Sequence, residues 1–268
     1  MPSLNNEKRL WAQGLLRVVG VDEVGMAALA GPVVAAACMV TPDTKLIRKV
    51  NDSKVLTRLQ REGLLDSIRG RVVKIGIGAA SLAEIHRLNI YHASHVAMLR
   101  ALRQIGEYDW VLVDGRRILD PAFAPGRHTE IVRGDAKSFS IAAASIVAKV
   151  TRDRLMAKLA VKYPGYGWEH NCGYPTIDHR KALRELGVTP FHRQDFGTVR
   201  MPCLATRSAA APKRAKSNPS TNRRDSQSRL TSRKPRFVRK RTPSVIDSFA
   251  AEARARPPRR VTAAASSS

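Results

Sequence analysis

Cysteine is nearly absent: Cys38, Cys172 and Cys203 are the only three in 268 residues. An odd count at irregular spacing makes no disulfide framework, which suits a reducing cytosol. Long hydrophobic runs are missing too. No stretch approaches the roughly 20 apolar residues that cross a bilayer, and residues 1–17 carry charges without an apolar signal core. The chain therefore reads as cytoplasmic, with no membrane span. Acidic side chains are scarce, 22 against 47 Lys and Arg, which leaves a formal net charge of +25 and a pI of about 11.1. Such an imbalance points to a polyanionic partner, nucleic acid before others. A basic membrane-surface protein would need a basic amphipathic helix with Trp, Phe or Leu along one face, and none is found. Nor does Gly-Lys-Ser/Thr follow Gly25, so that glycine does not open a phosphate loop.

Apolar residues make up 43% of the chain, enough for a real core, but they are unevenly spread. Residues 204–268 hold 17 Lys and Arg against 3 Asp and Glu, with much Ser, Pro and Ala and few large apolar side chains. Such a segment cannot bury enough surface to offset its ordering entropy, so 204–268 is expected to be a disordered basic tail. Its runs Arg233-Lys234-Pro235-Arg236 and Arg239-Lys240-Arg241 suit an arm that clings to nucleic acid. A solvated extension without function is the alternative. Residues 1–16 read as an N-terminal extension, and 17–203 as one α/β domain with a C-terminal helical part. Strands are expected at 17–24, 33–40, 72–79, 110–114 and 129–133, where apolar runs of strand length lie between turn signals. Helices are expected at 57–68, from Ser81 with its capping partner Glu84, at 91–105, over the Ala-rich 141–162, and at 177–186 before Gly187 and Pro190. The order predicts one mixed sheet covered by helices.

Three of the apolar runs lead into carboxylates. Val18-Val19-Gly20-Val21 precedes Asp22-Glu23, Trp110-Val111-Leu112-Val113 precedes Asp114, and Ile131-Val132-Arg133-Gly134 precedes Asp135. An acid beside a buried strand is costly unless it is paired or ligates a cation. Several at neighbouring strand ends would form a hard-oxygen site of the kind Mg²⁺ and Mn²⁺ prefer. Two such ions roughly 3.5–4 Å apart can clamp the attacking and leaving oxygens of a phosphodiester. In a regular strand Asp22 and Glu23 point to opposite faces, so they share a site only where the strand twists or ends, which Gly25 permits. A single acid is more often a surface carboxylate; three after apolar runs weigh against that reading. His170, Cys172 and His179 match no common zinc spacing. His86, His92 and His95 lie on or beside helices and read as surface or packing residues.

On these residues the chain resembles ribonuclease HII, of the ribonuclease H-like superfamily, over 17–200. The blocks, in the family's order, are GVDEVG at 20–25, LAGPVVAAA at 29–37, NDSKVLT at 51–57, LNIYHAS at 88–94, VLVDG at 111–115, RGDAKSFSIAAASIVAKVTRDR at 133–154, YPGYGWEHNCGYPTIDH at 163–179 and TPFHRQDF at 189–196. The resemblance implies a ribonuclease H-like fold and endonucleolytic cutting of the RNA strand of RNA–DNA hybrids. The cut falls on the 5′ side of a ribonucleotide, including one embedded in duplex DNA, and leaves a 3′-hydroxyl and a 5′-phosphate. It implies Mn²⁺ or Mg²⁺ as cofactor, with Asp22, Glu23, Asp114 and Asp135 as the metal-binding and catalytic carboxylates. Gly25, Met26 and Ala27 fall on the family's substrate-reading segment, Tyr174 on its stacking aromatic, and Lys54 on a basic residue assigned to a substrate phosphate. A monomer is expected. Two positions depart from the family: Met26-Ala27 stands where Arg-Gly is usual after Gly25, and Cys172 where Lys precedes the Gly-Tyr pair. Both bear on ribonucleotide selectivity rather than metal binding. The alternatives are a hybrid nuclease of relaxed selectivity, and a catalytically weak nucleic-acid-binding protein working through its basic arm; the presence of all four carboxylates argues against the latter.

Overall fold

A computed structural model of the chain describes residues 1–47, 49–50, 56–115, 123, 126–197 and 199. Lys54 and the 204–268 segment lie outside the described residues. Five strands, β1 (Val18–Val24), β2 (Val33–Val40), β3 (Lys74–Ala80), β4 (Trp110–Asp114) and β5 (His128–Ile131), form one sheet in the order β3-β2-β1-β4-β5. β1, β2 and β3 pair antiparallel, and β1, β4 and β5 pair parallel, giving the mixed sheet expected. β3 starts at Lys74, two residues later than its apolar pattern suggests. β5 ends at Ile131, two residues early, because Arg133 turns left-handed (φ 57°) into a 3-10 turn at Gly134–Ala136.

The period of two splits the sheet between two helical layers. Val18, Val34, Ala36, Cys38, Val40 and Leu112 pack with α4 (Phe139–Lys162) on one face. Val19, Val21, Val33, Ala35, Ala37, Met39, Val111 and Val113 pack with α3 (Leu82–Ile105) on the other. The capping box expected at Ser81 with Glu84 opens α3, and a second, Thr57 with Gln60, opens α2 (Arg58–Arg69). The two helices expected over α3 run together across Asn89 (φ 63°, ψ 169°). The Asn89 Oδ1 accepts from the amides of Tyr91 (2.9 Å) and His92 (3.2 Å), so it caps the second segment while breaking the first. Ahead of the sheet, α1 (Asn5–Trp11) is strapped to the start of α4. The buried Glu7 Oε1 accepts from the Ser138 hydroxyl (2.6 Å) and from the amide (2.9 Å) and hydroxyl (2.7 Å) of Ser140. No helix among the described residues is long and apolar enough to cross a membrane.

A third cluster joins the far end of α4 to α5 (Trp168–Asn171) and α6 (Ile177–Leu186). Its polar centre is a pair of buried histidines. The Trp168 indole N–H donates to His179 Nε2 (3.1 Å), the Thr189 amide donates to His192 Nδ1 (2.9 Å), and the two Nε2 atoms lie 3.1 Å apart. One assignment satisfies every contact: His192 carries its proton on Nε2 and donates to His179, whose Nδ1–H donates to the Tyr174 carbonyl (2.9 Å). Both rings are neutral. Burial, and then the neighbouring His179, pushes His192 down to about 4, and burial lowers His179. The unfolded chain takes up these protons below about pH 6.5 while the folded chain resists, so stability present above 6.5 is lost as pH falls towards 4. The loss reaches on the order of 2–3 kcal/mol. Melting temperatures between pH 7 and 4.5 should therefore fall, and His192→Asn should flatten the fall. An unchanged slope in that variant would remove the pair as its cause.

Candidate active site

β1 and β4 run parallel, with Val21 opposite Val113, so their C-terminal ends open at the same edge. Asp22 shares the α4-facing side of β1 with Val18 and Gly20, and Asp114 shares that side of β4 with Leu112. Glu23 falls on the opposite side by the same rule. It still lines the same cleft, because β1 ends at Val24 and the chain turns at Gly25 (φ 96°). The cleft, about 270 Å³, is lined by Asp22, Glu23, Val24, Gly25, Met26, Ala27, Asp114, Ser145, Lys149 and Tyr174. The chain thus brings together three of the four expected carboxylates, the Gly25-Met26-Ala27 segment and Tyr174.

Asp135 does not line that cleft. It is buried in the 3-10 turn between β5 and α4, next to Gly134, whose amide donates to Asp114 Oδ1 (2.6 Å). The turn therefore ties the fourth carboxylate's segment to the third. The carboxyl of Asp22 is held well above the usual carboxylate range, first by burial, then by the charges of Glu23 and Asp114, against a hydrogen bond from Ser145. Among the described residues, no three groups already converge on one point as metal ligands. The two facts agree: the carboxylates lie within electrostatic reach but are not drawn to ligand distance. An all-oxygen donor set carrying mutual repulsion suits a hard divalent cation. His170 and His179 form no such set, since His179 is committed to the buried pair.

Three functional positions carried no clear sequence signal. Ser145 and Lys149 are polar residues four apart on α4, a spacing that puts both on one helix face. Lys149 pairs with Asp153 (2.7 Å) and holds its ammonium 5.4 Å from the Tyr174 ring centroid. Arg152, fully buried on the same helix, lies 5.4 Å from that centroid too. It also fills the space beneath Gly25, where a Cβ would come 2.9 Å from Arg152 Cδ. Only glycine fits there. Cys172 is buried, and its carbonyl accepts from Arg152 Nη1 (2.8 Å).

Residues 19–199 match the family model for ribonuclease HII. The chain is 49% identical over 210 residues to ribonuclease HII of Thermosynechococcus vestitus, covering 78% of this chain and 97% of that relative. It is 50% identical over 199 residues to ribonuclease HII of Ruegeria pomeroyi, covering 74% and 83% respectively. Among solved structures, the ribonuclease H2 of Pyrococcus horikoshii superposes with a TM-score of 0.61 at 26% identity, covering 72% of this chain and 99% of that one. With a matching family model across the whole sheet and its helices, and relatives at half identity over nearly their full length, the chain belongs to the ribonuclease HII family, endonucleases that hydrolyse phosphodiester bonds in RNA paired with DNA.

Proposed function

We propose that this chain cuts RNA–DNA hybrids, and duplex DNA at embedded ribonucleotides, using Mn²⁺ or Mg²⁺ held by Asp22, Glu23, Asp114 and Asp135, and leaves 3′-hydroxyl and 5′-phosphate ends. The observation that carries the reading is the cleft itself. Two parallel strands deliver Asp22, Glu23 and Asp114 to one opening, beside a lysine, a tyrosine and an exposed loop. When bound, two divalent cations supply the charge that activates water and stabilises the departing oxygen in phosphodiester hydrolysis. Asp114 is pre-positioned by the Gly134 amide, and Asp22 by Ser145. Tyr174 offers a ring for stacking at the cut junction. Lys149, beside it, offers a positive charge to the phosphate backbone. The reading takes the chain to act as a monomer. The sugar is read by the backbone of Met26 and Ala27 rather than by their side chains, so the departure there reduces activity on a single embedded ribonucleotide without abolishing it. The test is Mn²⁺-dependent cleavage of a labelled DNA duplex holding one ribonucleotide, beside a continuous hybrid. A protein that cuts only the hybrid refutes the embedded-ribonucleotide activity, and one that cuts neither refutes the nuclease reading.

A further inference from the structure

Two arginines lie buried behind the loop that follows β1. Arg193 donates through Nε (3.1 Å) and NH2 (2.9 Å) to the Gly31 carbonyl, and through NH1 to the Met26 carbonyl (2.9 Å). Arg152 donates to the carbonyls of Pro32 (3.0 Å), Ala30 (2.9 Å) and Cys172 (2.8 Å). Asp153, next to Arg152 in the chain, is engaged by Arg61 (3.4 Å) and Lys149 (2.7 Å). A buried cation ordinarily sits against a carboxylate. Here the hydrogen-bond acceptors given for the two are all main-chain oxygens, five of the six bonds going to carbonyls of the 26–32 loop and one to Cys172.

The arrangement has a directional consequence. In a trans peptide the carbonyl and the following amide point in opposite directions. Drawing the Met26 oxygen inward to Arg193 turns the Ala27 N–H outward, on the side where Ala27 is exposed and lines the cleft. The later amides of the loop are already engaged: Ala28 with Gly25 (3.3 Å), Leu29 and Ala30 with Gly173 (2.8 and 3.3 Å), and Gly31 with Phe191 (2.9 Å). Among the described residues the amides of Met26 and Ala27 have no such backbone acceptor. The Ala27 N–H is thus a donor turned towards the cleft, and its direction is set by a guanidinium rather than by either residue's side chain, whereas the Met26 N–H belongs to the preceding peptide, whose Gly25 carbonyl accepts from Ala28.

We propose that Arg193 is a positioning residue for ribonucleotide recognition, fixing the Met26–Ala27 peptide so that its amide can donate to the sugar at the cut junction. The proposal rests on the reading of this loop as the substrate-reading segment. It assigns selectivity to a side chain 167 positions away in sequence. A continuous hybrid offers a ribose at every register, so losing one junction donor matters less there than on an isolated ribonucleotide.

The experiment uses full-length Arg193→Gln and Arg193→Lys proteins with Mn²⁺, measuring kcat/KM on a DNA duplex with one ribonucleotide and on a continuous hybrid. Arg193→Gln should lose about ten- to a hundredfold on the single ribonucleotide, the worth of a charge-assisted hydrogen bond, and no more than a few fold on the hybrid. Arg193→Lys, with one point donor able to reach a loop carbonyl, should recover part of the loss, and it carries the test if the glutamine variant does not melt cooperatively. A merely structural role would lower both substrates together, and equal losses, or an unchanged ratio, overturn the proposal. Wild-type protein that cleaves neither substrate would instead overturn the nuclease reading on which it rests.

Discussion

An Asp22→Asn protein is expected to bind duplex as wild type does and to lose at least about a thousandfold in turnover, since a catalytic cation supplies several kcal/mol to the transition state and each 1.36 kcal/mol is tenfold. The variant keeps the shape of the side chain and the Ser145 contact, and removes one charge from a buried cluster. Its stability should move the other way. Asp22 is raised above its ordinary value by burial and by the charges of Glu23 and Asp114. A carboxyl raised on folding contributes stability that is fully present below its unfolded value and is lost as pH rises through its folded value. Burial and the neighbouring charges therefore disfavour the ionised Asp22 in the metal-free wild type, a cost that Asn lacks, and the metal-free variant should melt at the same temperature or higher. Adding Mn²⁺ should raise the melting temperature of wild type by mass action and leave the variant where it was. Undiminished cleavage, or an equal Mn²⁺ response, would remove Asp22 from the metal site.

A large loss of stability is expected at Gly20→Ala. Gly20 sits in mid-strand on the face that meets α4. A Cβ there would fall well inside contact distance of the Ser140 carbonyl carbon and the Ile141 nitrogen, and 2.5 Å from the Ser140 oxygen. These are backbone atoms, so no rotamer change relieves the clash, and the start of α4 must move away from β1. Overpacking of this kind costs about 3 kcal/mol or more, which lowers the melting temperature of a domain this size by roughly 6–12 °C. The same shift displaces Ser138 and Ser140 from Glu7, and the Asp135 turn with them. Activity should therefore fall together with the denaturation midpoint. A variant that melts within a degree or two of wild type would mean that the strand and helix can separate cheaply.

What was legible before the structure was whatever repeats along one element. Apolar runs of strand length marked the strands, Ser81–Glu84 announced its helix, and each carboxylate stood at the end of an apolar run. Gly25 announced the turn that brings Glu23 round to Asp22. Asp135 was legible as an acid after a strand, but its burial in a 3-10 turn was not, because that depends on Arg133 adopting a left-handed conformation. The arginine contacts left no trace, since their partners are carbonyls and every residue has one. The histidine pair was equally hidden: thirteen residues separate two rings that only the docking of α6 brings together. α1 escaped because seven residues give too few turns to show a helical period, and its Glu7 reads as a surface acid until Ser138 and Ser140 are seen around it.

The long reach of Arg193 also bears on how the protein is made. During synthesis the strands and their carboxylates leave the ribosome first, while the guanidinium that sets the Met26 carbonyl is added 167 residues later. A nascent chain stalled after α4 would hold Asp22, Glu23, Asp114 and Asp135 but neither Tyr174 nor the clamp on the loop. Whatever duplex such a fragment met would find the acids without the parts that read the sugar. On the proposed reading of the loop, the parts that discriminate between substrates are therefore made after the carboxylates that would cut them.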